Sequence, residues 1–78
     1  MAIIRSFDVV LRPEQEGGFT VRVPALPEIV TWGETEAEAL CNAEEAIELV
    51  IEDRTARGQA VPSPDAIRVR SVNVTVEA

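Results

Sequence analysis

The stretch TEAEALCNAEEAIELVIEDRTARG, residues 35–58, constrains this chain more than any other. Thr35 followed by Glu38 has the pattern of a capping box, in which a hydroxyl and a carboxylate satisfy backbone N–H groups left unpaired at a helix start. Glu34, Glu36 and Glu38 sit where the helix dipole favours negative charge, and Arg54 and Arg57 sit where it favours positive charge. Gly58 is a fitting C-terminal stop, and Pro62 and Pro64 prevent resumption. These signals predict a helix over about residues 36–57, roughly 33 Å long at 1.5 Å per residue. On a helical wheel Ala39, Leu40, Ala43, Ala46, Ile47, Val50 and Ile51 share one apolar sector, with Glu38, Glu44, Glu45, Glu48 and Glu52 opposite. Leu49 and Cys41 project from the polar side. The glutamates thus have a structural explanation first, as cap, dipole partners and solvated face, with partner contact as an addition.

A helix with one apolar face needs a layer to cover, and the preceding residues supply strands. Residues 3–12, IIRSFDVVLR, place Phe7, Val9 and Leu11 on one face and Ser6, Asp8 and Arg12 on the other. PEQEGG follows, with Pro13 stopping the ladder and Gly17-Gly18 providing turn freedom. FTVRV, residues 19–23, alternates with Phe19, Val21 and Val23 inward. The two read as an antiparallel hairpin. PALP, residues 24–27, reads as a rigid extended connector, and EIVTW, residues 28–32, as a third short strand ended by Gly33. Trp32 reads chiefly as a core side chain.

After the helix, IRVRSVNVTVEA alternates but changes phase. Ile67 and Val69 define one face; Val72, Val74 and Val76 define the other. Either a bulge near Arg70-Ser71 corrects the phase, or the second half buries its valines against another molecule. The expected order is β-β-β-α-β, an α+β fold. A three-stranded antiparallel meander carries one long helix, and a fourth strand returns beside the first. A β-rich end without lysine or proline is an unprotected edge, which points to a homo-oligomer, dimer or tetramer, formed through this C-terminal strand.

With 78 residues the chain is expected to be one domain, 1–78, of thin stability. It has no run long enough for a membrane helix, no secretory pattern at its N-terminus and a single cysteine, so a cytoplasmic location is expected. The net charge of −7 disfavours direct nucleic-acid binding and suits a basic protein partner. There is no histidine, no phosphate-binding glycine loop and no cofactor signature. The one enzymatic option is a carboxylate metal site. Asp8 could supply one ligand, but Glu45 and Glu48 fall on the solvent side and the last strand offers Ser71, Asn73 and Thr75 instead of a carboxylate. No catalytic or metal residues are therefore assigned.

Residues 18–64 also carry a motif series. Gly18-Phe19, the Pro24/Leu26/Pro27 connector, Thr31 and Gly33, then Thr35, Glu38, Ala39 and Leu40, and a closing P-x-P resemble the HicB family of type II antitoxins. The resemblance covers about residues 6–64. It implies a partial RNase H-like fold and neutralisation of a small basic mRNA-cleaving toxin of the HicA type by protein–protein contact. Two departures stand out: Glu28 replaces a frequent glycine, and the sequence stops at Ala78 without the DNA-binding domain usual in the family. Three readings follow: an antitoxin domain; a stand-alone oligomeric domain with a structural or regulatory role; and a metal-dependent nuclease remnant, which the ligand count disfavours. A neighbouring gene for a short basic protein, a stable oligomer in isolation, or magnesium-dependent RNA cleavage would separate them. Interface candidates are Trp32, Glu38, Glu45, Leu49 and Glu52, as aromatic or apolar anchors and charge partners.

Overall fold

The computed structural model describes residues 5–62 and 67–77. Three strands, β1 (Val10–Pro13), β2 (Phe19–Arg22) and β3 (Val30–Gly33), form an antiparallel sheet in the order β1-β2-β3, and helix α1 (Glu36–Ala56) packs on one face. The meander, the helix and the α+β class agree with the sequence reading. Register sets which side chains meet the helix. Leu11 pairs with Val21 and Val21 with Thr31, so these point one way. Arg12, Thr20 and Trp32 point the other.

β1 is shorter than the expected strand over residues 3–12, of which 3 and 4 lie outside the described residues. The cause lies in its partner. β2 ends at Arg22, paired with Val10, because the chain turns at Pro24, which has no N–H for a ladder. Phe7 and Val9 continue the inward face regardless and pack half-buried against the core. Pro13 does not stop the ladder but closes it opposite Phe19, and Gly17 and Gly18, at φ +104° and +81°, complete the hairpin turn.

The PALP connector is folded rather than extended. Leu26 N–H donates to the Val23 carbonyl at 2.9 Å, and Ile29 N–H to the Leu26 carbonyl at 3.0 Å. Prolines three residues apart thus occupy the second position of two successive β-turns, a position their fixed φ favours. The second turn delays β3 to Val30. It also drives Leu26 into the core, where it is fully buried beside Val23 and Ile29, with Ala46, Ile47 and Val50 of the helix packed against them. A second cluster joins Val21 to Ala39 and Ala43. Each fully buried Val or Leu side chain contributes about 1.5–3 kcal/mol.

Both ends of α1 match their signals. Thr35 Oγ1 accepts from the Glu38 N–H at 3.1 Å, the threonine half of the capping box. At the other end Gly58, at φ +69°, lets its N–H reach the Thr55 carbonyl and that of Gln59 reach the Arg54 carbonyl, a Schellman closure. Gly33 allows the helix start to lie against β3, since a Cβ there would overlap the Ala39 backbone. Asn42 Nδ2 donates to the Trp32 carbonyl at 2.8 Å and ties the same junction.

Arg54 does more than complement the helix dipole. Its Nη2 donates to both Glu28 carboxylate oxygens, at 2.8 and 2.6 Å, and its Nε to Oε2 at 3.1 Å. The Arg54 guanidinium holds the Glu28 carboxyl below its usual range. Glu28 therefore fastens the connector to the helix C-terminus.

The expected fourth strand does not form within the chain. Residues 67–77 pair with no strand, and Val69, Val72, Val74 and Val76 are 75%, 85%, 73% and 82% exposed. The radius of gyration is 15.1 Å, against roughly 11.5 Å for a compact chain of this length. The alternating valines of this arm therefore bury nothing within their own chain. The expected stop at Pro64 lies outside the described residues.

Candidate protein-interaction surfaces

Two layers leave two outer faces. On the helix side, Glu38, Glu45, Leu49 and Glu52 lie within one solvent-facing stripe, because steps of seven, four and three residues stay near the same azimuth on a helix. All four are exposed, Leu49 at 66%, which makes it an apolar projection among carboxylates. Cys41 is exposed beside the same stripe. No pairing draws these glutamates away from solvent; among the described residues the ion pairs are Arg54–Glu28 and Arg57–Asp53.

On the sheet side the chemistry differs. Val10, Arg22 and Val30 form one cross-strand row, and Arg12, Thr20 and Trp32 a second. Val10, Val30 and Trp32 are about half exposed, at 46%, 53% and 45%. Glu14, at the edge of this face, accepts from the Thr20 hydroxyl at 2.8 Å. Trp32 is therefore not a core residue. Its parity in β3 matches Val30, while Thr31 and Gly33 take the helix side. The ring lies across Gly18, where any Cβ would overlap it. Gly33 beneath the helix start turns the neighbouring Trp32 outward.

The five interface candidates thus divide. Glu38, Glu45, Leu49 and Glu52 share the helix stripe, and Trp32 belongs to the opposite face. The motif residues mostly build the fold. Gly18 and Phe19 shape the hairpin, Pro24, Leu26 and Pro27 the double turn, and Thr31, Gly33, Thr35 and Ala39 the strand–helix junction. Leu40 departs from the expected core and is 40% exposed at the flank of the helix. Asp8, Glu45 and Glu48 are each exposed. Among the described residues no group of three or more His, Cys, Asp or Glu side chains is placed to hold a metal ion. Nor is any described helix long and apolar enough to cross a membrane.

Comparison with known proteins places the chain in a family. Residues 7–76 match the family described as the HicB-like antitoxin of bacterial toxin–antitoxin systems. A UPF0150 protein of Synechocystis is 38% identical over 73 residues, 94% of this chain and 91% of that protein. A UPF0150 protein of Thermoplasma acidophilum is 37% identical over 60 residues, 77% of this chain and 87% of that one. Antitoxin HicB 1 of Photorhabdus laumondii is 34% identical over 68 residues, which cover 87% of this chain and 44% of the antitoxin. No solved structure matches significantly. With nearly its whole described length matched, from the segment before β1 to the end of the C-terminal arm, the chain belongs to the HicB-like antitoxin family of bacterial toxin–antitoxin systems.

Proposed function

We propose that this chain is an antitoxin domain that binds a small, basic, mRNA-cleaving toxin of the HicA type and holds it inactive by covering it. The observation that carries this reading is the helix stripe of Glu38, Glu45 and Glu52 around the exposed Leu49. Carboxylates of one sign on a rigid element steer a cationic partner, and an apolar projection among them provides contact area once it docks. The chain contributes binding, not chemistry. The encounter takes place in the cytoplasm, where an mRNA-cleaving toxin acts. The expected homo-oligomer belongs to the same reading, with the exposed valines of residues 67–77 as its contact.

A second reading, a stand-alone oligomeric domain with a structural or regulatory role, is favoured by the two UPF0150 relatives, which match this chain over most of their own length. Co-expression decides between the two. On the antitoxin reading, a short basic protein of the HicA type is encoded beside this chain, arrests growth when expressed alone, is neutralised by this chain, and co-purifies with it. Rescue without co-purification, or no rescue at all, contradicts the antitoxin reading.

A further inference from the structure

Beside the free edge of the sheet the helix leaves an open apolar groove of about 850 Å³. Phe7 and Val9 form one wall, and Leu40, Ala43, Ile47 and Ile51 the other. Glu44 and Glu48 stand along its rim on the helix side. β1 is an outer strand of the sheet, so the backbone groups of Val10–Pro13 that face away from β2 have no strand partner. An edge and a covering face, the two things the C-terminal arm lacks, are therefore found together.

The arm fits in length, polarity and charge. From Leu40 to Ile51 the groove runs about 17 Å along the helix. Val72 to Glu77 spans about 17 Å as an extended strand. Val72, Val74 and Val76 fall on one face and match the apolar walls. Arg70, on that same parity and two residues before Val72, brings a guanidinium group toward the nearer rim carboxylate. Yet the chain's own arm is exposed and does not occupy its own groove.

We propose that the arm of one copy lies in the groove of a second, as a fourth strand on the edge of β1, and that the exchange is reciprocal about a two-fold axis. This rests on the reading of residues 67–77 as the homo-oligomer contact and adds the surface that receives them. Reciprocity closes the exchange: each copy gives one arm and fills one groove, so no arm or groove is left to recruit a further copy.

Sedimentation of the full chain tests it with two variants, Val74→Asp in the arm and Leu40→Glu in the groove. Glu48→Arg at the rim repeats the groove test at an exposed position that does not touch folding. Wild type is expected to be a dimer. Each variant is expected to dissociate at least a hundredfold more readily, with its helical circular dichroism intact. Mixing Val74→Asp with Leu40→Glu restores dimer, since one sound arm then meets one sound groove. A monomeric wild type overturns the oligomer reading itself. A dimer that Val74→Asp breaks but Leu40→Glu and Glu48→Arg leave intact overturns only the groove. A mixture that stays monomeric overturns the exchange.

Discussion

The two outer faces of this small molecule carry opposite chemistry. The helix side presents Glu38, Glu45 and Glu52 around Leu49, and the sheet side presents Arg12 and Arg22 among Val10, Val30 and Trp32. A net charge of −7 describes neither. The difference teaches that a cationic partner has one side to prefer, because the helix stripe is anionic throughout while on the sheet face Arg12 and Arg22 offset Asp8 and Glu14. It also shows why one long helix suffices. Alanines at 39 and 43 bring it close to the sheet, so both faces are held at fixed separation by a core only one side chain deep.

That separation is the first thing to break. Leu26→Ala removes a fully buried side chain from between the layers and is expected to cost about 2–5 kcal/mol. A chain of this length has only about 4–12 kcal/mol in total, so the denaturant midpoint should fall steeply, roughly by half. Gly33→Val, which forces β3 and the helix start apart, should cost about 1–3 kcal/mol in the same titration.

Smaller changes sharpen the contrast without erasing it. Gly18→Ala places a side chain at φ +81° and displaces the Trp32 ring; a loss of about 1–2 kcal/mol is expected. Trp32 is the chain's one tryptophan, so its fluorescence should shift in that variant and report the sheet face alone. Thr35→Ala removes the helix cap and should cost about 1 kcal/mol, read as lost helical signal on heating.

The smallest effect concerns pH. The folded-state value of Glu28 lies below its usual range, so its contribution is fully present above the ordinary carboxylate range. It is lost as pH falls through the lowered folded value. Glu28→Gln should therefore melt slightly lower than wild type at neutral pH, with the gap closing in acid. A gap that persists in acid would mean that the Arg54 contact acts through packing instead.

Much of this arrangement was legible in the residues. The helix limits follow from Thr35 and Gly58 because capping is local: each signal lies within a turn of the group it satisfies. The inward set of β2 follows from alternation. Three features were not legible. The double turn at Pro24 and Pro27 was masked because proline serves both extended and turn backbone, and only their spacing distinguishes the two. The Glu28–Arg54 pair joins residues 26 apart and leaves no local trace. The fourth strand was visible as alternation, but its partner was not, since pairing depends on which edge is free in the assembled molecule. Of the candidate site, the helix stripe could be drawn on a wheel, whereas the position of Trp32 depended on the phase of a four-residue strand.

The most direct test of the proposed function is calorimetric titration of a HicA-type toxin into this chain, into Glu45→Arg/Glu52→Arg on the helix face, and into Arg12→Glu/Arg22→Glu on the sheet face. The helix-face pair is expected to weaken binding about tenfold to a hundredfold, roughly 1.4–2.7 kcal/mol, with the loss shrinking as salt rises. The sheet-face pair should leave affinity unchanged or slightly improved. Equal affinity for wild type and the helix-face variant, or a loss confined to the sheet-face variant, would contradict the account.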